Sequence, residues 1–318
     1  MHPAHPWVLP SEPVSRAVLR SGGVTDAMIR AHLAAGRLRV LRHGVYLAAA
    51  AWPGDPIGQH LVRAHAEQAC NSDAVLSHQS AALIWGVPAP GFERWEELPV
   101  SVTFPATGHS SRTRSAVHHV ALLPQGQVQR DAAGYAVTTP ARTAVDLAAG
   151  LGLPEALVVL DGAARVICRS LVPQARRRDY ANPRLVGMAT QLMSDAARTV
   201  RASRLRPALA RTDPARESAA ESLSAGHFEL AGLPTPRFQA ELRTRAGVFY
   251  PDCLWAAEGV IGECDGALKY ENSSAFVLEK AREQALRDLG YRIVRWLAKE
   301  IMLQPWLVVD RVARELGR

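Results

Sequence analysis

Apolar and polar positions alternate along the chain with two different periods, and the places where the period changes mark out four segments. In the first, residues 11–50, Ser11 can cap a helix with Pro13 in its first turn and Gly22-Gly23 at its end. A second helix starts at Thr25-Asp26, and Met28, Ile29 and Leu33 form one apolar stripe before Gly36. LRVLRHGVYL then reads as two short strands around His43-Gly44. From 57 to 165 the periods mix. IGQHLVRAHAEQAC and HQSAALIWG are helical, LPVSVTFP and AVHHVALL are strands separated by the polar ATGHSSRTRS, and AVTTPARTAVDLAAGLG is strand, turn, helix. Residues 166–214 predict a helix or two. From 215 the order is α-β-β-β-α-β-α: RESAAESLSAGHFELAG, RFQAEL, VFYPDCLW, VIGECDG, SAFVLEKAREQALRDLG, YRIVRWL and LQPWLVVDRVARELG.

The predicted fold class is therefore α/β, in several domains. Helix, helix, hairpin over 11–50 is the order of a small winged helix-turn-helix. A mixed α/β domain follows over 57–165, then an arginine-rich helical linker over 166–214 and an α-β-β-β-α-β domain over 215–318. The chain has 318 residues, 48% of them hydrophobic and 21% charged, enough apolar material for more than one core.

The net charge of +7 allows a polyanionic partner without demanding one. Its distribution says more. Residues 163–211 carry eleven arginines against two aspartates, a local +9 that exceeds the charge of the whole molecule. Either nucleic acid or an acidic surface of the C-terminal domain would neutralise it. Cys70, Cys168, Cys253 and Cys264 show no zinc-ligand spacing. His78, His118 and His119 have no metal or triad partners at suitable spacing and read as satisfied or surface histidines. No apolar run reaches the roughly 18 residues of a membrane span, and the N-terminus lacks a basic-then-apolar leader pattern. The expectation is a cytoplasmic protein with no membrane partner.

Four carboxylates in the last segment suggest chemistry. Asp252 follows Pro251 in one strand, and Glu263 and Asp265 stand two apart on the next, so the latter pair share a face. If the AAEG turn joins the strands, Asp252 comes close to both. Glu221 on the preceding helix can add a fourth carboxylate, and Lys269 follows Asp265 by four residues. Hard oxygen ligands of this kind suit Mg²⁺ or Mn²⁺, with Asp252, Glu263 and Asp265 as the metal ligands. Cys253 and Cys264, each one residue from a carboxylate, fall on the opposite face as small buried hydrophobes. Arg282 and Arg295 can contact phosphates or pair with these acids.

The succession RESAAES, GLPTPRFQ, YPDCLW, GECDGALKY, EKAREQALRDLGYRIVRW resembles a family related to the very-short-patch-repair (Vsr-like) endonucleases of the PD-(D/E)XK superfamily. The resemblance implies a restriction-endonuclease-like fold and Mg²⁺-dependent DNA cleavage. Asp252 and Glu263 match the acidic metal positions and Glu221 the helix glutamate. Asp265 stands where that motif usually has lysine, so Lys269 substitutes for it or catalysis is weak or lost. The stretch PVSRAVLRSGGVTDAMIRAHLAAGRLRVLRHGVYLAA, with AVLSHQSAALIWG and VTTPARTAVDLA after it, resembles AbiEi-like antitoxins of type IV toxin–antitoxin systems. That implies a DNA-binding winged helix and a cognate toxin protein as partner. In a winged helix the second helix enters the major groove, making Arg30 and His32 candidates for base edges; Arg37, Arg39, Arg42 and His43 are candidates for phosphates. Two functions stand: a metal-dependent DNA endonuclease, or an antitoxin-like regulator with an inactive nuclease-like domain.

Overall fold

The computed structural model describes residues 7–105, 110–266 and 273–318, with the backbone alone over 273–279. The described residues form a mixed α/β structure with several sheets. They gather into two compact units. One comprises the chain up to Val87, Glu93–Asp146 and Ala196–Arg201; the other comprises Pro88–Phe92, Leu147–Asp195 and Ala202–Arg318. No helix among the described residues is long and apolar enough to cross a membrane.

The first unit opens with β1 (Val14–Ser15), α1 (Arg16–Ser21), α2 (Asp26–Ala34), β2 (Leu38–Arg42) and β3 (Val45–Ala48). The strands form an antiparallel sheet in the order β1-β3-β2. The expected cap of α1 was Ser11, but Ser15 takes that role, its Oγ accepting from Val18 N at 3.3 Å. The reason is that Val14 and Ser15 are drawn into strand pairing with Tyr46 and Val45, so the helix starts later. Thr25 caps α2 as expected, accepting from Met28 N at 3.3 Å. Gly44 turns the β2–β3 hairpin at φ +73°, a conformation open to glycine at little cost. Leu19, Val24, Ile29 and Leu38 form the small core beneath.

The same unit continues through α3 (Pro56–Cys70), β4 (Val75–Leu76), α4 (His78–Trp85), β5 (Val100–Phe104), β6 (Ser111–Arg112), β7 (Ala116–Val120), β8 (Val128–Arg130), β9 (Ala136–Thr138) and α5 (Pro140–Ala148, whose last two residues belong to the second unit). Its six-stranded sheet runs β6-β7-β5-β4-β9-β8. Four of these strands, β4, β6, β8 and β9, have only two or three residues, too few to show a period of two in the sequence.

The second unit contains α6 (Leu153–Ser170), α7 (Pro183–Thr199, whose last turn belongs to the first unit), α8 (Arg206–Leu209) and α9 (Ala219–Leu230). Then come β10 (Arg237–Phe238), β11 (Leu242–Thr244), β12 (Gly247–Phe249), β13 (Cys253–Trp255), β14 (Val260–Asp265), α10 (Ser273–Asp288), β15 (Arg292–Leu297), α11 (Ala298–Leu303) and α12 (Pro305–Glu315). The main sheet is β10-β13-β14-β15, with β15 parallel to β14 and the other neighbours antiparallel. RFQAEL, expected as one strand, splits into β10 and β11, and VFYPDCLW into β12 and β13. Residues 242–249 fold back as their own hairpin.

Strand parity divides this sheet cleanly. Cys253, Trp255, Val260 and Trp296 face a core shared with Phe228 of α9 and Val308 and Val312 of α12, and Cys264 packs against it. Leu254 and Ile261 face the other way, against Leu286 of α10. Gly262 is required by close approach, since a Cβ there would lie 2.7 Å from the Trp296 ring and 2.9 Å from the Trp255 ring. A buried ion pair between Asp161 of α6 and Arg216, 2.6 Å long, ties the segment before α9 to α6.

Candidate active site and nucleic-acid contacts

Glu221 sits in the first turn of α9 and is 5% exposed. Ser218 caps that helix, its Oγ accepting from Glu221 N at 3.2 Å and donating to Glu221 Oε1 at 2.8 Å. Glu221 Oε2 accepts from Glu217 N at 2.9 Å. Its carboxylate therefore serves the helix terminus whatever else it does. Gln239, at φ +50°, ends β10 and turns the chain out of the sheet. Its backbone N–H donates to Pro251 O at 3.0 Å. Its Nε2 donates to Asp252 Oδ1 at 3.0 Å and to Glu221 Oε2 at 3.3 Å. Asp252 Oδ2 accepts from Cys264 N at 2.8 Å. One amide thus bridges the buried carboxylate of Glu221 on α9 and the partly buried carboxylate of Asp252 just before β13.

Glu263 and Asp265 share the α10 side of β14, as their spacing implied. Arg282 Nη2 of α10 donates to Glu263 Oε1 at 2.8 Å. Arg295 Nη1 of β15 lies 3.6 Å from Asp265 Oδ2. Both arginines pair with acids, the second of the two readings open to them. The expected metal set of Asp252, Glu263 and Asp265 is not assembled: among the described residues no three His, Cys, Asp or Glu side chains stand where they could hold a metal ion. The physical reason is donor competition. Asp252 gives both oxygens to N–H groups, and Glu263 and Asp265 face guanidinium groups. As arranged, the acids do not fit Mg²⁺ or Mn²⁺. Lys269 lies outside the described residues.

Burial raises the Glu221 carboxyl to about 7, and the nearby Asp252 charge pushes in the same direction, against the hydrogen bonds from Glu217, Ser218 and Gln239. Burial also raises Asp252, opposed by the Cys264 N–H, Gln239 and Arg282. Two coupled carboxyls of which one titrates near neutrality can take up or release a proton from water at working pH.

Beside this site the second unit encloses a recess of about 970 Å³. Six arginines line it: Arg165, Arg177, Arg178, Arg211, Arg216 and Arg237. Gln239 and Glu217 lie on the same lining. Five of these arginines belong to the charge-rich stretch or its immediate border. They line a wall of the C-terminal unit, where the sequence suggested a linker. Gln239, the residue connecting recess and carboxylates, went unnoticed in the sequence because RFQAEL looks like uninterrupted strand. Nothing in the local pattern marks its positive φ.

In the first unit Arg30 is exposed on α2. His32 packs edge-on against Trp7, with centroids 4.7 Å apart, and its Nδ1 accepts from Arg37 Nε at 3.2 Å. Arg39 is exposed over the Trp52 ring, 4.6 Å from its centroid, and Arg63 approaches the same ring at 5.1 Å. His43 is exposed in the hairpin turn. Arg42 is turned inward to pair with Glu67 of α3, a carboxylate that His118 Nε2 also reaches at 3.0 Å. His78 and His119 stack with centroids 3.7 Å apart, and burial lowers each to about 4, so both rings are neutral. The Ser77 hydroxyl accepts from Thr103 Oγ1 at 2.8 Å and lies 3.0 Å from His78 Nδ1.

No protein-family model matches the chain. Over 188 residues, 58% of its length, it is 28% identical to two proteins of Mycobacterium tuberculosis, the uncharacterized protein Rv2248 of strain H37Rv and the uncharacterized protein MT2308 of strain CDC 1551. The matched stretch spans 63% of the length of each of these relatives, and the similarity identifies no function.

Proposed function

We propose that the protein acts on DNA: the N-terminal part binds the duplex and the C-terminal unit is of the nuclease type, hydrolysing phosphodiesters. The observation carrying this reading is the convergence of Glu221, Gln239 and Asp252 at the edge of a mixed sheet, with Glu263 and Asp265 on the same strand face beyond. The succession of α9, β10, β13, β14, α10 and β15, with β14 and β15 parallel, supports a restriction-endonuclease-like domain. The β-α-α-β-β order at the N-terminus, with Arg30 and Arg39 exposed, supports a winged helix. In this reading Glu221 receives a proton from the attacking water, Gln239 holds Glu221 and Asp252 together, and Asp252 orders the end of β14 through Cys264 N–H. The Mg²⁺ or Mn²⁺ that the family resemblance implies requires Arg282 and Arg295 to leave Glu263 and Asp265.

A second reading, an AbiEi-like antitoxin and regulator with an inactive nuclease-like domain and a cognate toxin as partner, is favoured by those same arginine pairs and by Asp265 in the usual lysine position. Nicking of supercoiled plasmid with and without Mg²⁺ or Mn²⁺, run beside duplex-binding measurements, separates the two. Cleavage supports the first. Tight duplex binding without cleavage supports the second.

A further inference from the structure

We infer that the arginine-lined recess of the second unit holds a single strand of DNA and leads its phosphates toward Gln239. The inference rests on the reading of the protein as acting on DNA and adds the form of the substrate. A recess of about 970 Å³ is of ligand size, and a duplex is too broad to enter it. Its surface combines the two elements that hold a single strand, positive charge and flat stacking planes. The Arg165 guanidinium lies 3.8 Å from the Tyr180 ring centroid and that of Arg177 lies 4.8 Å from Tyr250. Guanidinium planes backed by rings in this way can stack on bases as well as bond to phosphate.

A carboxylate currently occupies the place of a phosphate. Glu217 Oε1 is 3.2 Å from Arg165 Nη2, and Glu217 Oε2 is 3.2 Å from Arg177 Nη2. Both contacts are long for charge-assisted hydrogen bonds, and Glu217 is one-third exposed. A phosphate, with more charge and more acceptor oxygens, can displace it from between the two arginines. Arg177 Nη1 donates to Gln239 Oε1, so a phosphate at this fork lies one residue from the Glu221–Asp252 pair. Arg178 and Arg237 are exposed on the same lining and have no hydrogen-bonding or ionic partner among the described residues. They are the donors most readily available to neighbouring phosphates.

The test measures binding of a labelled oligothymidylate and of a duplex of equal length, across a salt series, to the full chain and to Arg178→Ala/Arg237→Ala. Each lost single-strand phosphate contact lowers the slope of log affinity against log salt by about 0.7, so the double variant is expected to lose about 1.4 and to bind the oligothymidylate roughly tenfold more weakly. Duplex affinity should stay unchanged, and Arg178→Lys/Arg237→Lys should keep most of the slope. Both arginines are exposed and unpaired, so equal melting temperatures are expected for all three chains. Unchanged oligothymidylate affinity and slope in the alanine variant overturn the inference, as does an equal loss for duplex. If the unaltered chain binds duplex but not oligothymidylate, the recess inference fails while the DNA reading survives. If it binds neither, both fail.

Discussion

Replacing Glu221 by Gln should make the protein more stable at alkaline pH while leaving its fold intact. Gln keeps the acceptor at Oε2 for Glu217 N and Gln239 Nε2, and its new amide can donate to Ser218 Oγ, whose hydroxyl rotates. What changes is the charge. The rise of this carboxyl from 4.5 to about 7 corresponds to about 3 kcal/mol at ~1.36 kcal/mol for each pH unit. The folded state binds the proton more tightly than the unfolded state. The protonated group's contribution is therefore complete below pH 4.5 and is lost as pH rises through about 7. Above that, the native protein carries a buried charge next to Asp252. Chemical denaturation between pH 5 and 8.5 should show wild-type stability falling across this window and Glu221→Gln holding nearly level. The two curves should separate by up to about 3 kcal/mol at the alkaline end. Curves that run parallel, or a variant less stable than wild type at pH 8, would refute the argument that burial and Asp252 set the protonation of Glu221.

Other perturbations give expectations of similar kind. Arg216→Ala leaves Asp161, 1% exposed in its side chain, without its cation and should cost roughly 3–5 kcal/mol by urea denaturation; Asp161→Asn combined with Arg216→Met should recover much of it. Arg42→Ala should lower thermal stability through the loss of its Glu67 pair and leave the salt dependence of duplex binding nearly unchanged, whereas Arg37→Ala with Arg39→Ala should lower that slope by about 1.8. The opposite result would place Arg42 on phosphate. Gly262→Ala, forced against Trp255 and Trp296, should destabilise by about 1–3 kcal/mol, and a neutral result would show that the rings can shift.

The parts of the fold with a sustained period were legible in the sequence. α2, α3 and α9 have apolar stripes or caps that fix their ends, and β14 is six residues long, so strand parity placed Glu263 and Asp265 on one face and Cys264 on the other. Strands of two or three residues carry too little pattern of their own: β4, β6 and β8 were not anticipated, and β9 was legible only from the Thr139-Pro140 helix start that follows it. Tertiary competition explains the other departures. Ser11 has the chemistry of a cap, but pairing of Val14 and Ser15 with β3 moves the cap to Ser15. The acids of the site were visible as residues, and their spacing gave the shared face. Pairing of Arg282 and Arg295 with nearby acids was one of two readings open in the sequence; the role of Gln239 was not legible, because it reaches Asp252 through a positive φ within an apparently regular strand. The charge of residues 163–211 was plain, but only the folded chain shows that Arg165, Arg177, Arg178 and Arg211 line one recess together with Arg216 and Arg237.

The most direct test of the proposed DNA chemistry is a nicking assay on supercoiled plasmid, with Mg²⁺ or Mn²⁺ and with EDTA, comparing the full chain with Asp252→Asn. The expected result is conversion to nicked circles by the unaltered chain and loss of that conversion in Asp252→Asn, with duplex binding retained by both. Equal nicking by the two chains, or none by either under any condition, would contradict the assignment of phosphodiester hydrolysis to the Glu221–Gln239–Asp252 site.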